Sequence, residues 1–248
     1  FTENFGWRSI FRFLGIYALV IFLWFCWRHP ETLTQSSARN YSFISAVRVF
    51  FRQKRSVLLT LTAGILFGVH LAFISLSPLL FADIYQVTDH FPRYFGSVVC
   101  AFGLALLINA RLVMRFGMAA LIVAGLVVLN VSQMLFLVVL LYNGAAPFWA
   151  FLIQLFLMLF ALGLIFGNLT ALILQPLGNF AGVGSALSSA LSSAVALLVS
   201  FAMGFIYAGK LSQFVFPSVF AVLAATVIFV VSTGSQFVRG NGKLVQNK

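Results

Sequence analysis

Seven long apolar runs dominate this chain of 248 residues. They are Ile10–Trp27, Val57–Phe81, Tyr94–Ala110, Met118–Tyr142, Phe148–Leu174, Val183–Tyr207 and Phe214–Thr233. A helix that crosses a bilayer needs about 17–25 mainly apolar residues, and each run qualifies. Pro78 interrupts the second near its end, and Pro176 closes the fifth. Trp7, Trp24 and Trp27 lie near the ends of the first, where aromatic belts form. Barrel strands are only about ten residues long and alternate in polarity, which these runs do not. The charge supply agrees. Soluble domains carry about 25% charged residues to solvate their surface. Here 8% are charged and 62% apolar, with 30 phenylalanines. The expected fold class is an all-α integral membrane protein with about seven transmembrane helices.

The net charge of +11 does not indicate nucleic-acid binding, because the basic residues flank the apolar runs. Arg28, Arg39, Arg48, Arg52, Lys54, Arg55, Arg111, Arg115, Arg239, Lys243 and Lys248 fall on one side; Arg8, Arg12, Arg93 and Lys210 fall on the other. The positive-inside rule then places the long first loop and the C-terminus in the cytoplasm and the N-terminus outside. In that loop Phe43, Val47, Phe50 and Phe51 recur at helical spacing between Arg48, Arg52 and Arg55. This fits a short amphipathic helix on the inner leaflet, or a solvated basic linker that fixes topology. The remaining loops are short, so neighbouring helices should be antiparallel.

The chain offers little to an enzyme. Its acids are Glu3, Glu31, Asp83 and Asp89, and its histidines His29, His70 and His90. No HExxH, paired CxxC or GxSxG occurs, so neither a metal site nor a nucleophile with its base can be assembled. No enzyme activity and no cofactor are expected. Cys26 and Cys100 fall at different depths and read as small packing residues. His70 is the titratable side chain placed well inside a span, where an ionisable group is a functional candidate. It could relay protons or touch substrate, or it could bond to a neighbouring helix. Asn168 and Thr170 sit in Gly163-Leu164-Ile165-Phe166-Gly167-Asn168-Leu169-Thr170-Ala171. A buried amide there must find a partner, in a polar cavity or across helices. The sixth run carries three stripes of small residues: Gly182, Ala186, Ala190 and Ala194; Gly184, Ser188 and Ser192; and Ser185, Ser189 and Ser193. Such stripes allow close helix packing, or one wall of a water-filled path. Asn109, Arg111, Arg115 and Gly117 belong to the short inside loop before the fourth run, where glycine permits a sharp turn.

Together these segments resemble the major facilitator superfamily, and within it the C-terminal part of a Bcr/CflA-type drug-resistance transporter. Gly6-Trp7-Arg8 with Phe11 is similar to the entry to helix six, and Pro30-Glu31-Thr32 to its cytoplasmic end. Ser77-Pro78 resembles the Ser-Pro late in helix seven. Asn109-Ala110-Arg111 through Arg115-Phe116-Gly117 resembles the basic loop between helices eight and nine. Gly163 through Ala171 is similar to the helix-ten signature. Ala181-Gly182 with Ser185-Ala186-Leu187 is similar to the start of helix eleven. The chain departs from the pattern at Gly167, where the family often has Pro; at Met118 and Ala119, where basic residues are usual; and at His70.

The resemblance implies helices six to twelve of a twelve-helix transporter. Residues 1–28 would be the last helix of the N-terminal half and 29–56 a cytoplasmic basic linker. Residues 57–235 would form the C-terminal six-helix half, and 236–248 a cytoplasmic tail. The start at Phe1-Thr2-Glu3 also reads as the middle of something longer. The implied function is proton-driven efflux of small drug-like compounds across a bacterial inner membrane. Its partners would be the lipid bilayer, substrate and protons, and helices one to five; without those helices this part would not transport. The implied substrate cavity includes His70, Gln154, Asn168 and Thr170. Rival readings are a seven-helix receptor, an intramembrane enzyme and a regulatory protein without transport. No span carries a Lys for a retinal Schiff base, and no pair of outside cysteines exists.

Overall fold

A computed structural model of the chain describes residue 6, residues 8–28 and residues 43–244, with side chains at 43, 46, 179 and 235–244 left out. Trp7, His29, Pro30-Glu31-Thr32, Arg39 and Lys248, and the side chains of Arg239 and Lys243, lie outside the described residues. The chain divides into two compact units, residues 1–41 and 42–248. The first contains helix α1, Arg8–Arg28, none of whose residues is buried. A helix this apolar suits lipid or a partner helix, not water.

The second unit begins with α2, Phe43–Arg52. Of the two readings of this segment, the helix is the one that forms. It turns Phe50 inward to 1% exposure and leaves Arg48 and Arg52 outside. Six long helices follow: α3 Lys54–Leu79, α4 Phe91–Phe116, α5 Met118–Asn143, α6 Phe148–Leu174, α7 Ala181–Ile206 and α8 Leu211–Leu244. With α1, seven helices among the described residues are long and apolar enough to cross a membrane. The apolar span of α8 ends at Gly234, but its backbone stays helical through residues expected in the tail. Two of the long helices are central. α3 packs on α6, α7 and α8, and α6 packs on α3, α4 and α5. Exchanging the first three long helices for the last three, in order, reproduces these neighbours. Three spans per repeat give opposite membrane orientation, which is the pattern of an inverted-topology repeat.

Glycines set the closest approaches. A Cβ on Gly64 would stand 2.9 Å from the Ser192 carbonyl oxygen, and one on Gly68 2.9 Å from that of Ala196. The spacing is GxxxG, and both sequence numbers rise together, so α3 and α7 run parallel in backbone contact. A Cβ on Gly163 of α6 would meet Ala105 at 2.7 Å and the Phe102 carbonyl oxygen at 2.9 Å on α4. That contact is the repeat-related counterpart.

Pro78 does not break its helix. It lacks the N–H that would bond the Ile74 carbonyl. The Ser77 hydroxyl donates to that carbonyl at 3.0 Å instead, and the chain then relaxes through a π-helical turn at Leu80–Ile84. Side-chain rescue of this kind is what apolar surroundings demand. Ser77→Ala is expected to destabilise the protein by about 1 kcal/mol, read from thermal unfolding in detergent.

Candidate functional site

The polar groups inside the second unit fall into three sets. The first ties helices together. On α5, Asn130 Nδ2 donates to Thr226 Oγ1 of α8 at 2.9 Å, and Gln133 Nε2 to Ser218 Oγ at 2.9 Å, with Ser218 donating back at 3.1 Å. The Ser56 hydroxyl of α3 donates to the Ile173 carbonyl of α6 at 2.8 Å. Asn168 of α6, 3% exposed, donates to Asn109 Oδ1 of α4 at 2.6 Å and to the Leu164 carbonyl at 2.8 Å. Its amide bridges helices. The glycines flanking it differ: Gly163 is a close contact, whereas nothing lies near a Cβ on Gly167.

The second set surrounds His70. Its ring stacks on Phe102 of α4, with centroids 6.4 Å apart and planes at 14°. Phe67 tilts against it at 6.4 Å and meets Phe166 of α6 edge-on at 6.1 Å. His70 Nδ1 is buried without a hydrogen-bond partner. The cluster joins α3, α4 and α6 at a half-open face. Thr170 is exposed one turn beyond Phe166, whose carbonyl takes its hydroxyl at 3.0 Å.

The third set is a crevice of about 200 Å³ between α5 and α6. Gln154 lines it, 6% exposed, with Nε2 unpartnered. The four candidate cavity residues are therefore not gathered together. His70 lies in the half-open aromatic cluster, and Thr170 is exposed on α6 one turn beyond Phe166. Asn168 is bonded between helices, and Gln154 lies fourteen residues earlier on α6, about 21 Å along its axis.

Two of the three stripes of α7 separate; the third divides, with Ser185 half-buried and Ser189 and Ser193 exposed. Gly184 and Ser188 are buried and Ser192 half-buried; Gly184 packs on Leu177, and Ser192 lies against Gly64 of α3. Gly182, Ala186, Ala190, Ala194, Ser189 and Ser193 are exposed. The first half of α7 thus exposes small residues, while its second half exposes Leu197, Leu198, Phe201 and Phe205. Arg111 and Arg115 sit in the last turns of α4, not in a loop. The connection shrinks to Gly117, at φ 81°. Cations are favourable at a helix C-terminus, and Arg115 also lies 5.2 Å over the Phe116 ring. The sequence missed the Gly64/Gly68 pair, although its GxxxG spacing was visible. It also missed the α5–α8 hydrogen bonds, which no spacing reveals.

The architecture and its internal polar bonds define a multi-pass α-helical membrane protein. The chain is similar to a protein described as an uncharacterized MFS-type transporter, YdgK, of Bacillus subtilis (strain 168), at 24% identity over 188 residues. The similarity covers 73% of this chain and 46% of that relative, so the chain spans about half the length of the protein it matches. No family model matches, and no solved structure matches. The helical fold and this similarity are consistent with part of a major-facilitator fold.

Proposed function

We propose that this chain is part of a major-facilitator transporter of the Bcr/CflA type, and that it contributes the C-terminal six-helix half to proton-driven efflux of small compounds. The observation that carries this reading is the exposed small-polar face on the first half of α7, and the half-open His70 cluster on α3, α4 and α6 adds to it. Leu and Phe would serve better against lipid; Ala, Ser and a His serve a polar path or a closely packed partner. The inverted-repeat packing supports the same reading, because major-facilitator halves contain such repeats. The exposed Gly182, Ala186, Ala190 and Ala194 stripe would then approach helices of the other half. The basic ends at Lys54, Arg55, Arg111 and Arg115 would face the cytoplasm of a bacterial inner membrane.

In the mechanism, two halves rock about a midplane site. The aromatic rings of Phe67, Phe102 and Phe166 would supply apolar contact to a substrate, and His70 an exchangeable proton. Thr170 would offer a hydroxyl on the same side. In the full-length protein His70→Ala is expected to reduce efflux several-fold and to flatten its pH dependence. Efflux from inverted vesicles, followed as a function of pH, reads both. An unchanged rate with an unchanged pH profile would reduce His70 to a packing residue.

A further inference from the structure

We propose that the crevice between α5 and α6 is a lipid site, which takes an acyl chain of a membrane glycerophospholipid and offers the Gln154 amide N–H to its ester carbonyl. The crevice is lined by Ser132, Leu135 and Phe136 of α5 and by Trp149, Ile153 and Gln154 of α6, among others. Gln154 is more than nine-tenths buried, yet its Nε2 has no partner. Buried amides are nearly always hydrogen-bonded, and an unpaired one is costly in hydrocarbon. A ligand with an acceptor would remove that cost.

Three observations select the ligand. The space of about 200 Å³ is below the roughly 300–1,000 Å³ of pockets that enclose a whole small molecule. It suits part of a chain whose remainder lies outside. The polar side chains on its wall are Gln154, Ser132 and, at the exposed rim, Trp149. The Ser132 hydroxyl already donates to the Leu129 carbonyl at 3.1 Å. The buried part of the wall therefore offers one unpartnered donor, Gln154 Nε2, whereas a bound water needs two to four polar partners, so it suits an apolar guest with one acceptor. The rim is lipid-like: Leu135, Trp149 and Ile153 are all more than half exposed.

Depth specifies the acceptor. α6 has 27 residues, about 40 Å at 1.5 Å per residue, close to a whole bilayer with its interfaces. Gln154 lies six residues in, about 9 Å from the end. That is just inside the hydrocarbon boundary of about 30 Å, where glycerol esters join acyl chains. Trp149, near the start of the helix, stands where an interfacial aromatic belt would lie.

The test uses purified full-length protein and native mass spectrometry, with dioleoyl phosphatidylglycerol and a dialkyl-ether phosphatidylglycerol as probes. The ether lipid keeps the headgroup and chains but lacks the ester carbonyls. The wild type is expected to retain the ester lipid several-fold better than the ether lipid. Gln154→Leu, which fills the same volume, is expected to retain the two equally. Equal retention by the wild type overturns the proposal, as does an ester preference that survives in Gln154→Leu. The wild-type comparison stands even if the variant fails to fold. Lipid retention requires no transport, so this result is separable from the efflux experiment.

Discussion

Gly68→Val in α3 is expected to destabilise the protein by about 3 kcal/mol, the upper part of the usual range for overpacking. A Cβ there would lie 2.6 Å from the Val199 Cβ and 2.9 Å from the Ala196 carbonyl oxygen. Backbone cannot swing aside as a flexible side chain can, so α3 and α7 would have to separate. Their parting would also loosen Gly64, one turn away, whose Cβ would meet Ser192 oxygen at 2.9 Å. Gly103→Val is the control. Nothing lies near a Cβ at Gly103, and its effect should stay within about 0.5 kcal/mol. Unfolding of both variants in the same detergent gives the comparison. A Gly68→Val protein as stable as the control would refute the close α3–α7 contact.

Asn168→Leu is the second large effect. Leucine matches the apolar surroundings but removes the donor that holds Asn109 Oδ1 at 2.6 Å. The Asn109 amide would then be left in α4 without that partner. Interhelical hydrogen bonds in membranes contribute about 0.6–1.7 kcal/mol, and an orphaned buried group adds to the loss, so about 2 kcal/mol is expected. The double variant Asn109→Leu/Asn168→Leu should recover part of it, because neither amide then stays unpaired. A double-mutant cycle with no coupling would show that the two amides do not hold each other.

Helix number was legible in the sequence, and so were most helix starts, because a span must satisfy its backbone internally and exclude charge; the C-terminal ends of α4 and α8 were not. Arginine, as at Arg111 and Arg115, tolerates a helix end as readily as a loop, and one glycine at positive φ suffices for the turn. The His70 neighbourhood was legible only as a single unusual residue; Phe102 and Phe166 come to it from other helices. Asn168 read equally as a cavity group or a bridge, since both satisfy an amide; the partner that the bridge uses, Asn109 at 2.6 Å, lies 59 residues away in the chain and no spacing points to it. The small residues of α7 read as small on every face. Their division into a face packed on α3 and an exposed face depends on Gly64 and Gly68, more than a hundred residues away in the chain.

In the transporter proposed above, the exposed small-polar face of α7 would border an aqueous path. Cysteine accessibility tests it most directly. With Cys26 and Cys100, both free thiols, first replaced by alanine, Ser189→Cys is set against Val127→Cys on the apolar outer face of α5 (55% exposed). A water-soluble, membrane-impermeant thiol reagent is added to membranes opened to both sides. The account predicts labelling at 189 and none at 127. Absence of labelling at 189, with the protein folded and inserted, would contradict it.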